Sequence, residues 1–254
     1  YSIFSGAAYS NARFAFTVAA SRFRNFTADA SLLKNLRTLR AKYTMQIHLL
    51  FPTAIATSTL DRPFTSLESR VWESANYYDN HTDHQTSPNG VSYTIESSIL
   101  ERPELADIKS WILEQVTAYV NEYKLSDTIE LEIARSWIVR SKPGDFGRLH
   151  THPNSLISGV LYLAADPTSG NLILQDSRTS KLGGMEFNYA DMNQLNSCNV
   201  SIPPKPGNLV MFPGYLAHEV AHNRSWITRY SLAFDVWFRG SINLRNPMGA
   251  LTIS

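Results

Sequence analysis

The chain has 254 residues, 43% of them apolar and 18% charged, with a formal charge of +1. These are the values of an ordinary globular protein, and the near-zero charge makes no general case for nucleic acid. A single cysteine, Cys198, excludes an intrachain disulfide and any cysteine-based zinc site. No apolar run is long enough to cross a bilayer as a helix.

Residues 1–44 carry seven Lys or Arg and one acidic residue, Asp29, which leaves 16 basic and 21 acidic residues in the rest. This basic, Ser- and Ala-rich extension fits an organelle transit peptide, or translated upstream sequence ahead of Met45. Import is the expectation in the first case and a cytoplasmic location in the second. Gln46 to Phe51 reads as a strand ended by Pro52. Residues 64–78 read as a helix with Leu67, Val71 and Ala75 inward. Residues 79–92 form a polar loop, in which His81 and His84 read as solvated; the loop suits a lid. Residues 103–124 are the clearest helix, with Leu105, Ile108, Ile112, Val116, Tyr119 and Tyr123 on the face expected to pack on a sheet.

From residue 128 the texture changes. Thr128 to Val139 is strand-like, and residues 141–147 form a loop. Short apolar runs follow at 156–164, 171–175, 185–189, 198–202, 208–212, 216–221 and 227–238, with turn residues between them. Residues 164–170 and 177–184 read as loops. The fold class is therefore mainly β with flanking helices, a sandwich or jelly roll with its core at about 128–240 and N-terminal helices on the sheet.

The chemistry concentrates in two stretches. In the first, His150 and His152 alternate along an extended segment, so their imidazoles share a face before Pro153 and Asn154 break it. Two converging imidazoles make a partial metal site. The second stretch runs from Gly207 through Pro213-Gly214 to His218, with Arg229 and Ser231 beyond it on one strand face. His218 is the preferred third ligand over His222, which lies nearer Arg229. An inward Arg needs an anion, and its fork suits a carboxylate. Glu219 or Asp235 is the alternative ion-pair partner for Arg229. Trp137 and Phe234 read as core. Asn223-Arg-Ser225 fits a glycosylation sequon without a secretory context.

Leu-Phe-Pro-Thr at 50–53, Trp137, His-x-His-Pro-Asn-Ser at 150–155, Ser-Gly-Val-Leu-Tyr-Leu at 158–163, Gly170, Pro-Gly-Asn-Leu-Val-Met-Phe-Pro at 206–213, His218, Arg229 and Ser231 together carry a resemblance. The chain resembles the iron(II)- and 2-oxoglutarate-dependent oxygenases, in particular the branch frequent in marine phage and bacterial sequences. The likeness covers residues 46–240, which favours Met45 as the natural start and residues 45–254 as a single oxygenase-like domain. It implies a double-stranded β-helix, with iron(II), 2-oxoglutarate and dioxygen as cofactor and co-substrates, and hydroxylation with release of succinate and carbon dioxide. It implies His150 and His218 as iron ligands, and Arg229, Ser231 and Tyr162 as partners of the far carboxylate of 2-oxoglutarate.

One position departs from the family pattern: His152 stands where the family has Asp or Glu. It ligates iron in a three-histidine site, leaves a two-histidine site completed by water, or acts from behind the ligands; direct ligation is preferred because the two histidines share a face. The same spacings also resemble the cupins, in which three-histidine iron enzymes work without 2-oxoglutarate. A jelly-roll binding module with incidental histidines is the non-enzymatic alternative. The expected substrate is a protein side chain or a small molecule, with nucleic acid least favoured by the charge.

Overall fold

The structure, a computed structural model, describes residues 52–79, 90–125, 129–176, 187–246 and 248–253. Those from Thr53 onward belong to one compact unit. The basic extension 1–44, the strand expected at Gln46 to Phe51, the loop histidines His81 and His84, and the loop 177–184 lie outside the described residues.

Helix α1, Ser66–Ser74, begins at a capping box. Thr65 Oγ1 accepts the Glu68 N–H at 3.2 Å and the Glu68 carboxylate accepts the Thr65 N–H at 2.6 Å. This satisfies two donors that have no partner within the helix. The helix is shorter than the expected 64–78, and its buried face is Glu68, Val71 and Trp72 rather than Leu67, Val71 and Ala75. The reason is Glu68. It accepts the fork of Arg62 at 2.5 and 2.9 Å as well as the cap, so its carboxylate is compensated inside while Leu67 is left 61% exposed. Helix α2, Ala106–Asn121, follows a 3-10 turn at Pro103–Leu105. Leu105, Ile108, Ile112, Val116 and Tyr119 are buried as the spacing predicts, whereas Tyr123 lies past the helix end and is half exposed.

Among the described residues, twelve strands make two antiparallel sheets. They are β1 Ala56–Thr59, β2 Tyr77–Asp79, β3 Ser92–Thr94, β4 Ile129–Ser141, β5 Gly147–His150, β6 Ile157–Ala164, β7 Leu172–Gln175, β8 Asn199–Ile202, β9 Asn208–Pro213, β10 His218–Val220, β11 Arg229–Ile242 and β12 Leu251–Ile253. The larger sheet has the order β1-β9-β6-β11-β4-β3-β2, with β12 added on β11; the smaller is β5-β10-β7-β8. Strands distant in sequence pair side by side, as the jelly roll requires. The apolar run expected at 185–189 forms no strand over its described residues 187–189. Strands β1, β2, β3 and β12 are additions that short, mixed sequences did not signal.

Alternation on the larger sheet sorts its residues onto two faces. Ile157, Leu161, Leu163, Leu209, Met211, Leu232, Phe234 and Val236 point to one face, where α1 and α2 contribute Val71, Trp72, Ile108, Ile112 and Val116 to the main core. Gly159 sits on this face because a Cβ there would fall 2.1 Å from the Phe234 ring. The opposite faces of β6, β9 and β11 carry Ser158, Val160, Tyr162, Phe212, Arg229, Ser231 and Ala233, which line a cavity against the smaller sheet. A second apolar cluster, including Leu172, Leu174, Val210 and Leu216, packs between the sheets beside it.

Candidate metal centre and anion pocket

His150 and His218 are direct cross-strand partners at the ends of β5 and β10. His152 lies just beyond β5 rather than within it, and its backbone N–H donates to Gly214 O at 2.8 Å. Gly214 suits that close approach: a Cβ there would lie 2.3 Å from Ser155 O. Thr151 and His152 thus run past the strand end, and the backbone bond to Gly214 rather than strand pairing holds His152 beside the other two. The three residues' candidate ligand atoms lie within 4.8 Å of one another, and no other such cluster occurs among the described residues.

The ring nitrogens are sorted by their outer partners. His150 Nδ1 lies 2.7 Å from Arg148 O, and His218 Nδ1 lies 3.0 Å from Leu216 O. A carbonyl cannot donate, so both Nδ1 atoms carry the proton and donate it. His152 Nδ1 stands 2.7 Å from Asp235 Oδ1, to which it donates in the same way. In the neutral rings each Nε2 is then left with a lone pair. His152 Nε2 and His218 Nε2 face each other at 3.3 Å. Two lone pairs at that distance repel unless a cation lies between them, so the donor set fits a metal that accepts imidazole. Burial pushes His218 down to about 4 against the pull of the Leu216 carbonyl, which keeps the ring neutral across the ordinary pH range.

Asp235 is fully buried, at 0% exposure, and collects three donors. Besides His152 these are Ser158 Oγ at 2.8 Å to the same oxygen and Arg135 at 2.5 Å to the other. Burial works to raise this carboxyl, but the hydrogen bond from His152, then Ser158 and Arg135, hold it below the usual carboxylate range. From the sequence alone Asp235 is expected only as a partner for Arg229. A signal was present, because Asp235 continues the period-2 series of Arg229 and Ser231 on β11. Trp137 also departs from the core role read for it. It is partly buried, lines the cavity and stacks on His152 with centroids 5.8 Å apart. Phe234 is core, as expected.

At the other end of the cavity, Arg229 is 1% exposed. Its NH1 donates to Ser169 O and Gly170 O, both at 3.0 Å, while its buried Nε has no partner. No ion pair to Glu219 or Asp235 forms: Asp235 is committed to His152 and Arg135, and Glu219 accepts from Gln175. Burial weighs against the Arg229 charge, and Tyr162 and Asp145 favour it. Leaving such a donor unsatisfied costs about 1–3 kcal/mol, more for a charged group. Ser231 and Tyr162 are cross-strand neighbours lining the same pocket, and burial pushes the Tyr162 phenol up to about 12, so it stays a donor. A buried cation with a free N–H beside two hydroxyls fits a carboxylate.

His222 stays apart. Its Nδ1 faces Gly144 O at 3.1 Å and its ring packs on Phe146. Asn223 is buried, and its amide donates to Ser141 O and Ile227 O, so the sequon there presents no accessible acceptor.

Residues 135–235, the span from Arg135 to Asp235, match the model of a family described as "Putative 2OG-Fe(II) oxygenase". This segment is similar to the 2OG-Fe(II) oxygenases. The matched family is one of oxidoreductases that use iron(II), 2-oxoglutarate and dioxygen. Among solved structures, the non-heme alpha ketoglutarate dependent epimerase SnoN from nogalamycin biosynthesis has a TM-score of 0.51 at 11% identity, covering 82% of this chain and 84% of its own. It shares the fold. HygX from Streptomyces hygroscopicus, solved with nickel and 2-oxoglutarate bound, gives 0.49 at 11% identity, covering 72% and 82%. A Pseudomonas putida prolyl-4-hydroxylase gives 0.47 at 17% identity, covering 74% and 93%. No curated protein matches in sequence. Among the described residues, no helix is long and apolar enough to cross a membrane.

Proposed function

We propose that the chain holds iron(II) through His150, His152 and His218 and hydroxylates its substrate while 2-oxoglutarate is converted to succinate and carbon dioxide. When bound, the iron and 2-oxoglutarate supply the oxidising chemistry; the protein supplies position, charge and exclusion of water. The three histidines that would hold the metal line the same cavity as Arg229. Arg229, Ser231 and Tyr162 receive the far carboxylate of 2-oxoglutarate in the pocket they line together, where the buried Arg229 Nε has no partner within the protein. The Ser169 and Gly170 carbonyls fix the guanidinium, so its orientation precedes binding. Val160, Leu172 and Phe212 keep the space between apolar, which strengthens each polar contact. Trp137 and the aliphatic wall of Val91 and Val139 stand at the substrate side, which suits a protein side chain or a small molecule with an apolar portion.

The observation that carries this reading is the buried, partly unsatisfied Arg229 in the same cavity as the three histidines. It favours 2-oxoglutarate over the cupin alternative, which has no use for a buried cation there. The test is anaerobic loading of the full chain with iron(II), followed by 2-oxoglutarate. A visible charge-transfer band that needs far more 2-oxoglutarate in Arg229→Ala is the expected result, with succinate release then used to screen substrates. Iron bound without a band at any concentration would replace this reading with the three-histidine dioxygenase.

A further inference from the structure

Asp235 poses a question that a plain three-histidine site leaves open. A carboxylate at 0% exposure is costly unless its lone pairs are taken up, and here all its donors come from one direction or another of the centre. His152 and Ser158 share Oδ1, at 2.7 and 2.8 Å. Arg135 holds Oδ2 at 2.5 Å while its own side chain is half exposed and its guanidinium lies 5.9 Å over the Trp137 ring. The backbone is shaped for this. The β4–β11 pairing is regular from Arg229 to Asp235 and slips between Asp235 and Val236, where Arg135 is the partner of Asp235 and Ile133 that of Val236. A bulge of this kind re-aims a side chain beside a site. On the other edge, Ser158 is the direct partner of Asp235. Three strands thus converge on one carboxylate whose contact with the centre is His152 Nδ1.

We infer that Asp235 is the positioning carboxylate of this centre, acting through His152 to return the negative charge that the histidine at position 152 removes from the ligand set. The inference rests on the proposed three-histidine site. A carboxylate bound directly would lend its charge to the metal. Asp235 instead draws on the Nδ1 proton of His152, which makes Nε2 a more basic, more strongly donating ligand and fixes the ring's tautomer and plane. Ser158 and Arg135 hold the carboxylate so that Oδ1 stays on His152, and Arg135 draws part of its charge away through Oδ2. The stacking of His152 on both Trp137 and His218 leaves the ring little freedom to find another acceptor. His150 and His218, which donate to neutral carbonyls, lack this enhancement. The three ligands are consequently unequal, with His152 the most donating.

The test uses cobalt(II) as the probe metal, titrated into the full chain and followed by its visible ligand-field bands, and zinc(II) for proton NMR. Outer partners of this kind are worth about 10- to 100-fold in metal affinity. Asp235→Asn is expected to weaken cobalt by that factor and, in the anaerobic iron(II)–2-oxoglutarate complex, to move the charge-transfer band to higher energy. In the zinc-loaded wild type a far-downfield Nδ1 proton assigned to His152 is expected, which moves upfield in Asp235→Asn. Arg135→Gln, at a half-exposed position, separates charge from packing. Releasing Oδ2 is expected to tighten cobalt binding and move the band to lower energy, whereas a merely structural role would weaken both variants alike. Folding is checked by circular dichroism; if Asp235→Asn does not fold, Arg135→Gln and the wild-type proton resonance decide. Wild type that binds no cobalt would overturn the metal centre itself. Wild type that binds cobalt while Asp235→Asn binds equally well, or Arg135→Gln binding more weakly, would overturn the role of Asp235 alone.

Discussion

The two faces of the larger sheet share strands but not a purpose. Along β11, Leu232, Phe234 and Val236 enter the helix-side core, and Arg229, Ser231, Ala233 and Asp235 face the centre. The first face is filled with apolar side chains packed on α1 and α2. The second is a cavity edged by a buried cation, a buried carboxylate and histidines. The alternation of a strand lets one backbone carry both, and the filled face holds rigid the groups that the other must hold apart. The lesson is that packing and chemistry are separated here by one residue of register, so a slip of one position would exchange them.

The separation can be broken deliberately. Phe234→Ala should have the largest effect, about 3–5 kcal/mol of stability by denaturant unfolding. Cobalt affinity of the folded fraction should not change; a loss there would show that the two faces are coupled. Arg229→Ala tests the other face. It should weaken 2-oxoglutarate by at least about 30-fold, the lower end of what truncating a buried charge partner costs, with cobalt binding intact. An equal loss of cobalt would mean that the variant disturbs the whole cavity.

A finer cut lies at Gly170, which has φ of +95° and would place a Cβ 2.2 Å from Ala221 O and 3.2 Å from Arg229 NH1. Gly170→Ala should cost about 1–3 kcal/mol in backbone strain and shift the carbonyls that hold Arg229. A raised 2-oxoglutarate requirement at unchanged cobalt affinity is the sign that those carbonyls orient the guanidinium. The smallest effect is expected far from the cavity. Thr65→Ala removes one half of the α1 capping box and should lower stability by about 1 kcal/mol without altering either ligand.

Several of these elements were legible without coordinates, for stated reasons. Helix α2 announced itself because Leu105, Ile108, Ile112 and Val116 repeat with the helical period over about three turns. The strands from β6 to β11 were visible as apolar runs between turn residues. Strands β1, β2 and β12 have only three or four residues, which is too short for a period to register. Helix α1 misled because a buried Glu68 breaks the rule that charge lies outward, and only the position of Arg62 explains it.

By itself the sequence determined the mainly β fold, the nomination of His150, His152 and His218, and the nomination of Arg229 for an anion. Those follow from local period and residue chemistry, which a single strand or turn contains. Only the tertiary structure decided what stands behind each group. It showed that His152 lies past the end of β5 and is backed by Asp235 and that Arg229 has carbonyls rather than a carboxylate for neighbours; it also placed Trp137 in the cavity wall and His222 outside the cluster. These are pairings across 60 to 100 residues of chain, such as Arg229 with Ser169 and Asp235 with Arg135. They depend on strand order and on a bulge in β4–β11, and nothing in local spacing encodes either.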